Sequence, residues 1–281
     1  MPRTALVLGG GGLTGIGWEA GILKGLADLG VDLSAADTVV GTSAGSVVGA
    51  LLTTHQVDEV YDEQVRPPSR ELGAPDYRRT MMLRLALPAL FPGSSRTKRR
   101  RIGAAALRAH PAGGHERVEV IRSRIGVEDW PERDLRITTV NAQTGEFVVF
   151  TRDSGVDLAH AVAASCAVPL VWPAVLIDDT PYIDGGMRST TNADVASDAT
   201  DVVMVLAPLP QAFSRSTRIS AQLARVGAAR HVVITPDRQS VAAFGSNVLD
   251  PSRRPDAARE GLRQAADVIE QVRAAWSPSN R

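Results

Sequence analysis

The sequence predicts an α/β fold in which a mostly parallel sheet is covered by helices on both faces. Residues 4–8 form an apolar strand that runs through glycines into a helix expected over 16–29, and residues 38–40 repeat this order before a helix over 46–52. A strand, turn and helix order that repeats in this way is typical of parallel sheets. The hydrophobic fraction of 44% and the charged fraction of 22% are those of a globular protein, and we expect one domain over residues 1–281.

The remaining elements follow from strand alternation, turn residues and helical periodicity. Residues 60 to 130 change in texture, with paired prolines and a run of basic residues, and we expect a helical insertion or cap there. The turn residues 141–145 predict a hairpin. We expect a helix that ends at Ser165, strands over 136–140, 146–150, 175–177, 181–183, 202–206 and 231–235, and a closing helix over 255–276.

The charge balance and the single cysteine exclude several classes of protein. The 31 basic residues equal the 31 acidic residues, so no overall field draws the chain to nucleic acid or to an anionic membrane. Cys166 is the only cysteine, which excludes an internal disulfide framework, and we expect a packed core thiol. No stretch approaches the roughly 20 apolar residues that span a bilayer, and no charged-then-apolar leader precedes Leu6. We therefore expect a cytoplasmic protein whose membrane contact is at most peripheral.

A serine flanked by glycines stands between the second strand and its helix. Gly41-Thr42-Ser43-Ala44-Gly45 has the form Gly-x-Ser-x-Gly, in which glycines two residues away on both sides let the backbone fold closely on itself. The turn leaves the serine hydroxyl exposed at a helix N-terminus, where the dipole and unpaired N–H groups favour developing negative charge. We interpret Ser43 as a nucleophile, with a plain Ser/Gly turn as the alternative.

A glycine loop, Gly10-Gly11-Gly12-Leu13-Thr14-Gly15, also follows a strand and opens a helix. Consecutive glycines can turn their N–H groups toward one point, which suits a phosphate or an oxyanion. The spacing also fits the Gly-x-Gly-x-x-Gly dinucleotide fingerprint, which requires an acid at the end of the second strand to hold a ribose. Asp37 stands at the start of that strand instead. An oxyanion loop is therefore favoured over dinucleotide binding and over a structural turn.

A third motif, Asp184-Gly185-Gly186, comes after the predicted strand 181–183. Taken alone, an aspartate followed by two glycines is typical of a turn. Together with the glycine loop and the Gly-x-Ser-x-Gly turn, in this order, it resembles the patatin-like phospholipase family, and the resemblance extends over much of the chain. The stretch before the aspartate is also similar to that family, through Ala164-Ser165-Cys166-Ala167-Val168-Pro169 and Trp172-Pro173.

The resemblance implies a three-layer α/β/α fold and hydrolysis of acyl esters of lipids by a Ser-Asp dyad without histidine. It implies that Ser43 is the nucleophile and Asp184 the general base, with no metal and no cofactor. The expected partner is a lipid or another acyl ester, met by peripheral contact with a membrane or micelle surface. The implied oxyanion hole is formed by the N–H groups of Gly10, Gly11 and Gly12, and the implied supporting glycines are Gly15, Gly41, Gly45, Gly185 and Gly186.

Two positions depart from the family pattern. Thr14 stands where many members have an arginine just before the last glycine of the first motif. Thr191-Asn192-Ala193 stands in place of the usual asparagine-proline after Asp-Gly-Gly. The first departure leaves the oxyanion amides intact but bears on whether the substrate is a phospholipid or a simpler ester.

Two other functions stay open on the residues alone. Ser43, Asp184 and His231 occur in the chain order of an α/β-hydrolase triad. That fold places several strands before its serine, however, and His231 is predicted to begin a strand rather than follow one. The other alternative is a non-catalytic lipid or nucleotide binding module in which the serine turn is not used.

The segment before the hairpin carries a dense basic cluster, Arg96 and residues 98–101. It is typical of a solvated face or of contact with anionic headgroups, and the lack of interleaved aromatic residues leads us to expect no nucleic acid partner. The apolar residues 81–91 predict a lid, an acyl channel or an ordinary core helix. His110 and His115 lack acidic or cysteine partners at metal-ligand spacing, so we expect loop residues rather than ligands.

Overall fold

A computed structural model describes residues 3–67, 91–110, 114–127, 129–196, 200–212, 214–228 and 230–276. Residues 81–90, most of the apolar segment predicted as a lid, acyl channel or core helix, lie outside these ranges.

A mixed sheet forms the centre of the fold. Its strands are β1 (Thr4–Leu8), β2 (Thr38–Gly41), β3 (Asp134–Asn141), β4 (Phe147–Phe150), β5 (Val175–Ile177), β6 (Thr180–Asp184), β7 (Val202–Leu206) and β8 (Arg230–Ile234). The order across the sheet is β5-β6-β3-β2-β1-β7-β8, with β4 beside β3. The pairs β1–β2, β1–β7, β2–β3 and β7–β8 are parallel, whereas β3–β4, β3–β6 and β5–β6 are antiparallel. The predicted mostly parallel sheet is confirmed, with an antiparallel edge.

Helices cover both faces of this sheet, as predicted. They are α1 (Gly12–Asp28), α2 (Ala44–Leu52), α3 (Val57–Val65), α4 (Ser95–Ala109), α5 (His115–Ile125), α6 (Leu158–Ser165), α7 (Ile219–Val226), α8 (Arg238–Phe244) and α9 (Arg254–Trp276). Successive strand side chains point to opposite faces, so Leu6 and Leu8 enter one core and Ala5 and Val7 another. Helices α1, α2, α5, α6 and α9 bury their apolar residues on the first face, and α4 and α7 on the second.

The helices after the two glycine motifs begin earlier than their apolar periodicity predicts. Helix α1 starts at Gly12 rather than at residue 16, and α2 starts at Ala44 rather than at residue 46. The turns pass directly into helical conformation, so motif residues without apolar periodicity make up each first turn. The first N–H groups of a helix have no partner within it, and here these groups belong to the motif residues.

The predicted helical stretch 60–130 contributes to the main core. Val118, Ile121 and Ile125 of α5 are buried in the same cluster as the residues of α1 and α2. Within the described ranges, no helix combines the length and the apolar character needed to cross a membrane.

Helices α1 and α9 pack with their backbones in unusually close approach. A Cβ at Gly17 would lie 2.6 Å from the Arg254 carbonyl oxygen, and one at Gly21 would overlap the Ala258 carbonyl oxygen. The Trp18 indole N–H donates a 2.9 Å hydrogen bond to Gln264 Oε1 across the same interface. Only glycine permits this separation, because any side chain would force the two helices apart.

We expect Gly21→Val to destabilise the fold by about 3 kcal/mol or more, since overpacking costs ~1–3 kcal/mol even where the surroundings can shift. Loss of the thermal transition, followed by circular dichroism, measures the effect. Ala274→Val adds a similar side chain at an exposed position of α9 and should change the melting temperature little. Equal stability of the two variants would contradict the close packing.

Candidate active site

Ser43 lies between β2 and α2 in a strained backbone conformation. Its φ of 52° and ψ of −116° are unusual for a residue with a side chain. A Cβ at Gly45 would overlap the Leu8 carbonyl oxygen, and one at Gly41 would lie 2.5 Å from the Ser46 Cα. The Gly-x-Ser-x-Gly spacing is therefore explained by close backbone approach on both sides of the serine.

Three side chains hold the Ser43 backbone in this conformation. The Ser43 N–H donates to Ser165 Oγ at 2.9 Å, and Ser46 Oγ donates to the Ser43 carbonyl oxygen at 2.6 Å. The Cys166 thiol lies 3.3 Å from the same carbonyl oxygen. Burial raises the pKa of Cys166 to about 11, so the thiol is neutral and packed, in keeping with its predicted role in the core. Sequence reasoning missed the bonds from Ser46 and Ser165, although the stretch before Asp184 had singled out Ser165 and Cys166.

Asp184 ends β6 and is 2% exposed. Its backbone N–H donates to Ala167, and its Oδ1 accepts a 2.6 Å hydrogen bond from the Gly186 N–H. Burial raises the pKa of Asp184 to about 7, against smaller lowering effects of the Ser43 hydroxyl and the Gly186 N–H. The carboxyl group therefore neighbours the serine hydroxyl with a pKa suited to accepting a proton near neutral pH.

The glycine loop lies beside the serine. A Cβ at Gly10 would be 3.5 Å from the Ser43 Cβ. The Gly10 N–H already donates to the Thr190 carbonyl oxygen at 2.7 Å, so it is not available as an oxyanion donor. Within the described chain, the N–H groups of Gly11, Gly12 and Ala44 have no hydrogen-bond acceptor. Gly12 has a φ of 62°, in the left-handed region that favours glycine.

The supporting glycines let the glycine loop, the serine turn and the aspartate turn approach one another closely. A Cβ at Gly15 would lie 3.4 Å from the Ala44 Cβ, so the first turns of α1 and α2 meet at the serine. A Cβ at Gly185 would overlap the Thr138 side chain and backbone of β3. The three sequence motifs, which are far apart in the chain, therefore meet at one end of the sheet.

Asn192 lies fully buried behind the serine and aspartate turns. Its Nδ2 is 3.1 Å from Thr42 Oγ1, 3.3 Å from Thr138 Oγ1 and 3.3 Å from the Gly185 carbonyl oxygen. Thr42 and Thr138 are joined to each other by a 2.8 Å hydrogen bond. Sequence reasoning noted Asn192 only as a departure from a pattern, because these partners come from three distant segments: the turn after β2, strand β3 and the turn after β6.

Glu19 is a buried carboxyl group near the base of the glycine loop. It is 0% exposed, and neither carboxyl oxygen has a hydrogen-bond partner among the described residues. Burial raises its pKa well above the ordinary value, and the nearby Gly9 N–H acts in the opposite direction. Burial therefore disfavours the charged form of this carboxyl group, and sequence reasoning missed it because it lies among apolar helix positions.

A cleft of about 1370 Å³ opens over the serine. Its wall carries apolar side chains from α1, α2, α3 and α5, together with arginines of α5. His110 and His115 line it as well, although they were predicted only as loop residues. Within the part of the chain that the structure describes, no three His, Cys, Asp or Glu side chains cluster as metal ligands would. The apolar lining from these four helices includes Leu13, Ile16, Val47, Leu51, Val60, Val120 and Ile125.

The structure separates His231 and Asp37 from the site. His231 is exposed near the start of β8, and three strand spacings separate β8 from β2. Ser43 follows the end of β2, so the two residues also lie toward opposite ends of the parallel strands. Neighbouring strands are about 4.8 Å apart, so the triad alternative with His231 is wrong. Asp37 accepts hydrogen bonds from Thr4 where β1 and β2 begin, whereas the glycine loop follows the other end of β1. It cannot hold a ribose at that loop, which removes the support for dinucleotide binding.

Several members of the basic cluster contact their own chain. Arg99 donates to the Gly145 carbonyl oxygen at 2.8 Å, and Arg96 donates to the Thr144 carbonyl oxygen at 3.2 Å. Arg101 donates to the carbonyl oxygens of Phe91 and Pro92. The hydrogen bonds of these arginines join α4 to the β3–β4 turn and to the segment that precedes α4, so each arginine has a structural role.

A family-model comparison agrees with the three motifs. The family model "Patatin-like phospholipase" matches residues 6–197, and no curated protein matches significantly. Among solved structures, VipD from Legionella pneumophila is 13% identical, with a TM-score of 0.49 over 96% of this chain and 67% of that one. The type III effector ExoU is 18% identical, with a TM-score of 0.41 over 96% and 53%. Human GIVD cytosolic phospholipase A2 is 9% identical, with a TM-score of 0.47 over 98% and 62%.

The last two proteins are considerably longer than this chain, which spans 53% and 62% of them. The match to the family model is the informative comparison, because residues 6–197 contain all three motifs and more than half of the 281 residues. The chain belongs to the patatin-like phospholipase family.

Proposed function

We propose that the protein is a serine acyl hydrolase that uses Ser43 and Asp184 as a dyad on acyl esters of lipids. The observation that carries this proposal is the strained Ser43 beside a buried carboxyl group whose pKa is raised to about 7, at the floor of a partly apolar cleft. Strained serine turns and shifted pKa values cluster at catalytic sites.

In the proposed reaction, Asp184 takes the proton of the Ser43 hydroxyl as Oγ attacks the acyl carbonyl carbon. The negative charge that forms on the carbonyl oxygen is stabilised by the N–H groups of Gly11 and Gly12, with Ala44 as a further donor. The alcohol leaves with the proton from Asp184 and the acyl group stays on Oγ. Asp184 then takes a proton from a water molecule as the water oxygen attacks the acyl carbon. It passes that proton to Ser43 Oγ as the bond from Oγ to the acyl carbon breaks, which releases the acid and restores the serine.

The lining of the cleft supports a lipid substrate. Apolar residues of α1, α2, α3 and α5 suit an acyl chain, and burying such a chain gains about 0.8 kcal/mol per CH₂ group. The predicted insertion at 60–130 contains α5 and the larger part of α3, so we propose that it belongs to the same domain and forms part of the binding wall. A non-catalytic binding module would share the cleft but not an activated serine.

The first test is labelling by a fluorophosphonate probe, which reacts only with an activated serine. We expect the parent protein to be labelled and Ser43→Ala to lose labelling and about 10³-fold or more of its esterase turnover. Ser220→Ala removes an exposed hydroxyl on α7 and should leave both unchanged. An unlabelled parent protein would favour the binding module, and turnover by pure Ser43→Ala would exclude Ser43 as nucleophile.

The second prediction concerns pH. Because only the carboxylate accepts a proton, kcat/KM on a soluble ester should rise up to about pH 7 and then level off. Asp184→Asn should lower kcat by about 10²- to 10⁴-fold. A pH profile without an acid limb in this range would contradict the assignment of Asp184 as base.

The raised pKa of Asp184 also predicts how the stability of the folded protein changes with pH. The ordinary pKa of 3.8 in the unfolded chain is lower than the folded value of about 7, so stability from the protonated form is lost as pH rises through about 7. Asp184→Asn removes this loss. Its gain in melting temperature over the parent should be larger above about pH 8 than below about pH 4. An equal difference at both pH values would show that Asp184 titrates normally.

A further prediction concerns substrate preference. The Arg117 guanidinium lies 4.3 Å from the Trp172 ring centre in the cleft wall, and its charge acts on Cys166 next to Ser43. The positive charge of a guanidinium in the cleft wall favours an anionic headgroup over an uncharged one. Arg117→Gln should lower kcat/KM about 10-fold or more on dihexanoyl glycerol phosphate and little on dihexanoylglycerol.

Two controls complete this comparison. Arg238→Gln removes an exposed charge on α8, outside the cleft, and should affect neither substrate. Both substrates are used as dispersed monomers, so binding to a lipid surface does not affect the measured kcat/KM values. An equal loss on both substrates would assign Arg117 to the fold rather than to headgroup binding.

A further inference from the structure

The nucleophile and the base come from strands that are not neighbours. Ser43 follows β2 and Asp184 ends β6, while β3 lies between them in the sheet. Ladder hydrogen bonds therefore do not join the two strands directly. Their side chains need a spacing set to a fraction of an ångström for proton transfer, and the structure shows a buried amide that spans the gap.

That amide belongs to Asn192, which contacts residues beside both reacting groups. Thr42 immediately precedes Ser43, and Gly185 immediately follows Asp184. Asn192 Nδ2 lies 3.1 Å from Thr42 Oγ1 and 3.3 Å from the Gly185 carbonyl oxygen. It also lies 3.3 Å from Thr138 Oγ1, on the intervening strand β3. One NH₂ group therefore links the serine turn, the central strand and the aspartate turn.

The orientation of the Asn192 amide is fixed by its other contacts. Arg188 Nη1 donates to Asn192 Oδ1 at 2.9 Å, and because arginine can only donate, the opposite atom of the amide is the NH₂ donor. Arg188 is itself ion-paired with Asp194, and its Cζ lies 4.2 Å from the Phe147 ring centre. The donor group of Asn192 is therefore held pointing at the two turns.

The Asn192 backbone also suits asparagine. Its φ is 50°, in the left-handed region that asparagine tolerates better than most residues with a side chain. Its Nδ2 donates in addition to the Ser189 carbonyl oxygen at 2.8 Å, within the same loop. The loop thus presents a rigid, fully buried donor at a defined position.

We propose that Asn192 is a positioning residue that sets the distance between the Ser43 hydroxyl and the Asp184 carboxyl group. It rests on the proposed Ser43–Asp184 reaction. Asn192 is fully buried and acts through Thr42, Thr138 and Gly185 rather than on substrate. Its removal should lower the rate of serine attack while leaving substrate binding unchanged.

The test compares Asn192→Ala with Gln264→Ala. Both side chains are buried amides with several hydrogen bonds, but those of Gln264 join Trp18, Thr235, Asp237 and Ser240, away from both reacting groups and from the Asn192 loop. We expect Asn192→Ala to lower kcat and the rate of fluorophosphonate labelling about 10²-fold, because small misplacements cost this much, with little change in KM. Gln264→Ala should lose comparable thermal stability and keep kcat.

The pH profile gives a readout that a purely structural role would not move. The Ser43 hydroxyl lowers the pKa of Asp184, so separating the two groups should shift the acid limb of kcat/KM to higher pH in Asn192→Ala. Gln264→Ala should keep the parent profile. An unchanged limb together with unchanged kcat would overturn the proposal.

One further variant separates the effect of the Asn192 side-chain amide from that of its backbone conformation. Asn192→Gly keeps the left-handed conformation without strain, so it should lose as much activity as Asn192→Ala; recovery of kcat in the glycine variant would overturn the role of the amide. If both fail to fold, Thr138→Val removes one shared hydroxyl and should lower kcat about 10-fold without changing KM. Absence of labelling in the parent protein would instead refute the proposed function, independently of any Asn192 variant.

Discussion

The strained backbone of Ser43 is the constraint on which the rest of the site depends. A non-glycine residue with a φ of 52° costs on the order of 1–3 kcal/mol and persists only where its surroundings fix it. Ser165 fixes its N–H group, Ser46 and Cys166 fix its carbonyl group, and Gly45 lets α2 approach β1 closely enough to close the turn. The parallel sheet and the two converging helices supply this rigid frame.

Burial of the partner carboxyl group follows from the same packing. Asp184 sits where β6 meets the helices of the first face, so few waters reach it and its pKa rises to about 7. A carboxylate with a pKa in this range is a stronger base than an ordinary aspartate, which can replace the histidine that many serine hydrolases need. The dyad is thus sufficient for the proposed reaction because the fold excludes water from one of its two members.

Local features of the chemistry could be predicted from the sequence, whereas long-range features could not. The glycine loop, the serine turn and Asp-Gly-Gly are continuous motifs, so their residues were identified before any coordinates. The contacts of Asn192 and Ser165 join distant segments, and no single window of sequence contains both partners. The unavailable N–H group of Gly10 is a case of this kind, because its acceptor lies at Thr190.

The boundaries of the strands could be predicted from the sequence better than the starts of the helices. Strands were predicted closely because alternation and turn residues mark their ends. Helix starts were predicted late because glycine-rich first turns carry no apolar signal. The pairing of α1 with α9 was not foreseen at all, although Gly17, Gly21 and Gly25 recur every four residues on one helix face. A stripe of small residues indicates a close neighbour without identifying it.

The packing of α1 on α9 has a consequence for synthesis of the protein. The motifs lie within residues 6–197, yet β1 pairs with β7 and α1 packs on α9, which are both made later. While the chain emerges from the ribosome, β1 has an unpaired edge and the apolar side of α1 is uncovered, both of which favour association with other chains. The region that carries the three motifs is therefore smaller than the region whose packing positions them. A nascent chain would contain every residue of the motifs before all the contacts that position them could form.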